Sequence, residues 1–169
     1  MAIYPIRTFG DPVLRIRAEA IADLDAGIRK LATDMIETMH DAPGVGLAAP
    51  QIGVAKRIFV FDIQDQAGTR VVINPELLET AGEAAMEEGC LSVPNRFWPV
   101  TRPAFARVRG LDLEGNEVIH EGEELLGRVL QHEFDHLEGM LVLERLPNRQ
   151  RKEALKELRE EALGLRPRA

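Results

Sequence analysis

The run His132-Glu133-Phe134-Asp135-His136 combines residue types that together can hydrolyse an amide. On a helix, residues four apart stack on one face, so both imidazoles reach one metal ion while Glu133 projects beside it. This HExxH spacing is that of a metal-assisted hydrolase. The bland alternative is a pair of hydrogen-bonded core histidines. Burial on an apolar helix weighs against it, since an unpaired buried polar group costs about 1 to 3 kcal/mol. A third ligand separates the two readings, and the chain offers two sources. Helical zinc proteases take theirs from downstream, as a histidine six residues past the second one or as a glutamate on a later helix. The histidine position holds Val142, which closes that route, while Glu153, Glu157, Glu160 and Glu161 keep the glutamate route open on spacing. The competitor is Cys90, in Glu87-Glu88-Gly89-Cys90-Leu91-Ser92. A lone cysteine is most often a small buried hydrophobe, but Gly89 permits an unusual backbone or a close approach just ahead of this thiol.

A third cluster is Gly44-Val45-Gly46-Leu47-Ala48-Ala49-Pro50-Gln51, whose small and rigid residues mark backbone that packs closely against something. It lacks the lysine and the Ser or Thr that a phosphate-cradling loop needs after its glycines, which argues against a nucleotide site.

The elements that must position these clusters follow from periodicity. Ile21, Leu24, Ile28, Leu31, Met35 and Met39 recur at helical spacing, predicting an amphipathic helix from about Asp23 to Asp41. Arg57 to Asp62 and Arg70 to Asn74 are β-branched and aromatic and read as a hairpin, as do Phe105 to Leu113 and Glu117 to His120 across Glu114-Gly115-Asn116. The helix carrying HExxH is expected from near Gly122 or Glu123 to near Gly139. It is apolar on two faces, hence buried. A last helix is expected over Asn148 to Leu163, capped by Asn148 and followed by Gly164. The fold class is α+β: mostly antiparallel strands around a buried central helix, with an N-terminal amphipathic helix and a C-terminal helix.

Composition sets the outer bounds. The 169 residues suit a single domain, residues 1–169, and 45% hydrophobic with 29% charged residues is ordinary for a globular chain. No uncharged apolar run approaches the roughly 18 residues of a membrane helix, and no targeting segment is visible, so a cytoplasmic protein without a membrane partner is expected. One cysteine excludes an internal disulfide and fits a reducing compartment. A net charge of -7 argues against a DNA-binding surface. Residues 148–169 differ, with seven Arg or Lys against four Glu. A helix this basic on an acidic body suits either a solvated face laced with i,i+4 pairs or docking on a polyanion.

Taken together, GVGLAAPQ at 44–51, EGCLS at 88–92 and QHEFDHLEG at 131–139 resemble the three signature motifs of the peptide deformylase family. The resemblance extends from Pro5-Ile6-Arg7 through Ile73-Asn74-Pro75 to the C-terminal helix. It implies removal of the N-formyl group from the initiator methionine of nascent N-formylmethionyl polypeptides, releasing formate. It implies Cys90, His132 and His136 as ligands of one divalent metal, leaving the fourth tetrahedral position for water. Fe2+ is then the working ion, with Zn2+, Ni2+ or Co2+ as occupants of purified protein. Glu133 becomes the general base and then the acid, and Gln51 and the backbone N–H of Leu91 become oxyanion donors. The methionine pocket falls on Val45, Gly46, Met86, Leu125, Arg128 and Val129, with the Arg128 stem as wall and its guanidinium facing water or peptide. Phe97 and Trp98 extend the rim. Because the family meets chains as they leave the ribosome, the basic last helix becomes a ribosome-docking element. The alternatives are a metalloprotease with a downstream glutamate as third ligand, and a non-enzymatic binding module.

Overall fold

The computed structural model describes residues 2–167. α1 (Ala26–Asp41) leads into β1 (Gly46–Ala48), β2 (Ile58–Phe61), β3 (Arg70–Ala81), β4 (Ala84–Cys90), β5 (Val93–Arg102), β6 (Phe105–Leu111) and β7 (Glu117–Gly122). α2 (Glu124–Leu137) and α3 (Asn148–Ala162) follow, and single 3-10 turns occupy Pro12–Arg15, Ala49–Ile52 and Val142–Arg145. The architecture is α+β, and all five strand ladders are antiparallel.

β1, β2, β3, β6 and β7 form one sheet in the order β1-β2-β3-β6-β7, and β4 and β5 form a separate ribbon. β2 shows why the sheet has helices on both faces. All four of its residues are buried, and because side chains alternate across a strand they feed two cores. Ile58 and Val60 join Met35 and Met39 of α1, while Phe59 and Phe61 join Val129, Leu130 and Leu137 of α2. A third core gathers Val93 and Val100 of β5, Leu141, Val142 and Leu143 after α2, and Ala154 and Leu158 of α3. No helix among the described residues is long and apolar enough to cross a membrane.

Both expected hairpins form: β2 pairs with β3 from Ile58↔Ile73 to Phe61↔Arg70, and β6 with β7 from Ala106↔Gly122 to Leu111↔Glu117. α1 starts at Ala26, later than expected, because the Asp25 carboxylate accepts from Ile28 N at 2.9 Å and caps the first turn. α2 stops where Gly139 takes a φ of +75°, and a Cβ there would stand 2.7 Å from the Arg15 carbonyl oxygen. Asn148 is not the cap of α3. The cap is Pro147, at φ -54° and with no side-chain hydrogen bond; its ring presets the entry angle, and Asn148 lies inside the helix. The β4–β5 ribbon and the outer half of β3 are additions to the expected strands.

Candidate metal centre

Cys90 ends β4 where the ladder to β5 is irregular, the register shifting between Gly89 and Cys90. His132 and His136 stand one turn apart on α2. The structure brings all three together: Cys90 Sγ lies 3.3 Å from His136 Nε2, which lies 3.2 Å from His132 Nε2. Their donor atoms all fall within 4.8 Å of one another. The α3 glutamates are engaged elsewhere, Glu157 and Glu161 with Arg96, Glu160 with Lys156, and Glu153 with Arg149.

Whether these donors suit a metal follows from their partners. His132 Nδ1 lies 2.6 Å from Glu88 Oε1 and donates to it, which leaves Nε2 a lone pair aimed at the site. Two ring nitrogens and a sulfur this close cannot all present lone pairs to one another without a proton or a cation between them. The protonation balance agrees. Burial disfavours charge on His132, but Cys90 and Glu88 push its pKa well above the usual imidazole value. Burial and the positive charge of His132 push its neighbour His136 well below. The pair therefore accepts one positive charge readily and a second poorly as protons. A thiolate with two imidazoles is a donor set for zinc, iron, cobalt or nickel. The residues fit such an ion.

A buried ion network fixes this geometry. Arg102, 3% exposed, donates to Glu88 through Nε at 3.0 Å and Nη2 at 2.7 Å, and to Asp135 Oδ2 through Nη1 at 2.7 Å. Arg145 closes on the same Asp135 at 2.6 and 2.9 Å. Burial opposes charge on Glu88, yet His132 and Arg102 hold its carboxyl well below the usual range. Arg128 belongs to this network rather than to solvent. Its guanidinium donates to Val100 O and Ala84 O, both at 2.9 Å, and to Glu88 Oε2 at 3.3 Å, so it faces neither water nor peptide. A buried guanidinium needs acceptors for its N–H groups, and here two ribbon carbonyls and the Glu88 carboxylate supply them. Nothing in the spacing of Glu88, Arg102 and Asp135 announces the network; a charged residue in line with Met86 and Cys90 and another in line with Trp98 and Val100 are its trace in the sequence.

Glu133 sits against β1. A Cβ on Gly46 would stand 2.8 Å from both Glu133 Cδ and Val129 Cγ2, and closer still to Glu133 Oε1. Oε2 is buried and meets no hydrogen-bond partner among the described residues. Burial raises this carboxyl to about 7, against the opposing charge of His132. Gln51, in the 3-10 turn after β1, is oriented by Ala48 N, which donates to Oε1 at 2.9 Å. Its Nε2 is thereby aimed at Ser92 Oγ, 3.3 Å away, and at Cys90 Sγ, 3.8 Å away.

These groups line a cleft of about 520 Å³. Val45, Gly46, Met86, Leu125, Arg128 and Val129 all border it, together with Gln51, Cys90, Leu91, His132 and Glu133. Phe97 is at the rim, 66% exposed. Trp98 is not: its ring packs on the core beneath β5, because adjacent strand residues point to opposite faces.

The profile of the family described as Polypeptide deformylase matches residues 3–152. The chain is 49% identical to a peptide deformylase of Acidothermus cellulolyticus over 95% of its own length and 88% of the relative's. It is equally identical to peptide deformylase 1 of Clostridium perfringens over 85% of this chain and 98% of that one. Among solved structures, a peptide deformylase from Legionella pneumophila superposes with a TM-score of 0.89 at 41% identity, covering 98% of this chain and 99% of that one. One from Ehrlichia chaffeensis, in complex with actinonin, gives 0.89 at 38% identity over 95% and 98%. With sequence and fold in agreement along almost its whole length, the chain belongs to the polypeptide deformylase family, metal-dependent hydrolases that remove the N-formyl group from nascent chains.

Proposed function

We propose that Cys90, His132 and His136 hold the single divalent ion with which this deformylase works, and that Glu133 carries the proton. The observation that supports this reading is the convergence of the three donor atoms beside a cleft that Glu133 also lines. When bound, the ion supplies Lewis acidity, lowering the pKa of a water toward about 7 and polarising the formyl oxygen. Glu133 takes a proton from the attacking water as its oxygen bonds to the formyl carbon. It returns that proton to the amine nitrogen as the C–N bond breaks, leaving formate and a free amine. Gln51 Nε2 and the Leu91 N–H donate to the oxygen that gains charge, and losing one such donor costs on the order of 100- to 1000-fold in rate. Val45, Gly46, Met86, Leu125 and Val129, with the Arg128 stem, receive the methionine thioether. All of this lies in one catalytic domain over residues 1–169.

Formate release from formyl-Met-Ala-Ser, measured alongside metal content, tests the assignments. Glu133→Ala is expected to keep the metal and lose turnover, and Cys90→Ala to lose the metal. A Glu133→Ala variant that keeps its rate, or a Cys90→Ala variant that keeps its metal, refutes the corresponding role.

The working ion in this reading is ferrous iron, with zinc, nickel or cobalt as substitutes. Air then destroys activity during purification unless nickel or cobalt is supplied, and full activity in an aerobic, zinc-only preparation refutes iron. The substrates are nascent N-formylmethionyl polypeptides, met in the cytoplasm, and the basic α3 docks on the ribosome. Reversing the exposed Arg149, Lys152 and Lys156 to Glu is expected to abolish cosedimentation with ribosomes at low salt. Equal binding by that variant would sink the docking role.

A further inference from the structure

The C-terminal helix reaches the rim of the cleft through Arg96, which meets carboxylates of α3. On β5, Val93 pairs with Cys90 and Phe97 with Gly89, so the register shifts by the three residues Pro94, Asn95 and Arg96, which form a bulge. Asn95 takes a left-handed conformation at φ 60°, uncommon for a residue with a Cβ. The bulge borders the cleft beside Cys90 and Leu91. Its far end sets Phe97, whose ring lies on Gly89 so closely that a Cβ there would stand 2.6 Å from Cε1.

Arg96 ties this bulge to α3. Arg96 donates to Glu161 through both terminal guanidinium nitrogens, Nη1 reaching Oε2 at 3.2 Å, and it lies 3.8 Å from Glu157. The Arg96 and Glu161 side chains are 12% and 10% exposed, so water screens the pair little. A two-pronged guanidinium–carboxylate contact fixes direction as well as distance. α3 is itself anchored, with Ala154 and Leu158 buried in the same core as Val93. The cleft is roomier than one methionine side chain needs, and none of the bulge residues belongs to the apolar set proposed to hold that side chain.

We infer that the Arg96–Glu161 pair makes α3 a positioning element of the substrate cleft: it holds the 94–96 bulge, and with it Phe97, against the peptide that follows formyl-methionine. This rests on the deformylase reading above. The effect belongs in the affinity for longer substrates, not in the hydrolytic step.

The test compares formyl-Met-Ala-Ser with formyl-methioninamide in the wild type, Glu161→Ala, Arg96→Glu and the charge-swapped Arg96→Glu/Glu161→Arg pair. Glu161→Ala is expected to raise KM for the tripeptide about tenfold. Its kcat on the tripeptide, and kcat/KM on the amide, should stay within twofold of the wild type. Arg96→Glu should raise the tripeptide KM as well, and the swapped pair should bring it back to within threefold of wild type. If the alanine variant melts early, Glu161→Gln keeps the side-chain volume and gives the same comparison. An unchanged tripeptide KM, an equal loss on both substrates, or a swap that restores nothing overturns the inference. A wild type that releases formate from neither substrate overturns the deformylase reading itself.

Discussion

Gly46→Ala tests the site at its tightest contact. The added Cβ would stand 2.8 Å from Glu133 Cδ and from Val129 Cγ2, and nearer still to Glu133 Oε1. The backbone has little room to retreat, because Gly46 is paired with Phe61 across the β1–β2 ladder and is buried within it. The carboxylate must therefore turn or be displaced by several tenths of an ångström to about 1 Å. Overpacking of this kind costs about 1 to 3 kcal/mol of stability, and for a chain of this size each kcal/mol lowers Tm by about 2 to 4 °C. The rate should suffer more, since a misplacement of about 1 Å in a catalytic group costs on the order of 100-fold, equivalent to about 2.7 kcal/mol of barrier. The ligands are not touched, so metal content should equal that of the wild type. Formate release, metal analysis and thermal melting on the same preparation read out all three quantities. A Gly46→Ala enzyme with wild-type kcat and full metal would refute both the tight packing of Glu133 and its role in moving the proton. Loss of metal in step with activity would refute the separation of base from ligands.

Removing Arg102 with Arg102→Ala uncovers two buried carboxylates at once; since Glu88 keeps His132 and Arg128 and Asp135 keeps Arg145, the cost should sit near the low end for a broken buried pair, about 3 kcal/mol. Chemical denaturation should show it as a lower midpoint with unchanged slope, with metal affinity reduced about 10- to 100-fold through the loosened His132; a loss under about 1 kcal/mol contradicts the network's role. Asp34 is buried at the α1 surface, where Lys30 and the Ala2 N–H hold its carboxyl below the ordinary value. Its folded-state pKa lies under its unfolded one, so its stabilisation is complete above about pH 4 and is lost as pH falls toward the lower folded value. Asp34→Asn should therefore flatten the acid limb of the Tm–pH curve, and an unchanged limb refutes the assignment.

How much of this was legible in the chain depended on whether an interaction was local. His132 and His136 share one helical face with Glu133 beside them, so their spacing pointed to a shared ion while leaving a hydrogen-bonded pair as the alternative, and β2 and β6 declared themselves through β-branched and aromatic residues. Cys90 lies 42 residues before His132, and local pattern left it in competition with the α3 glutamates until the motif resemblance decided between them. What was hidden was the carrier. β4 reads Ala-Ala-Met-Glu-Glu-Gly-Cys, and β5 contains two prolines and an asparagine, types depleted in strands. Only pairing with each other makes them a ribbon, and that pairing is not written in either segment. Arg128 was misjudged for the same reason. A guanidinium on a helix is expected in water unless something supplies acceptors, and here the acceptors are carbonyls of Ala84 and Val100 on the unseen ribbon.

The ribbon also explains why so much charge is buried beside the ligands. Cys90 belongs to β4 and the two histidines to α2, elements in different layers whose relative placement no local rule controls. Donor atoms drawn to within 4.8 Å repel unless a proton or a cation lies between them, so the ligand set by itself does little to hold ribbon and helix together. Glu88 and Arg102 stand on the ribbon and Asp135 and Arg128 on the helix; the Arg102–Asp135, Arg128–Glu88 and His132–Glu88 bonds cross the same gap that the ligands cross, while Arg102–Glu88 braces the ribbon itself. A salt bridge in a buried site is seldom the most stabilising solution. In this position it offers something an apolar contact does not, because each guanidinium bond fixes an angle as well as a distance. The charged network thus directs His132 and bridges the two layers that carry the ligands, which is what a site of this accuracy requires from its supports.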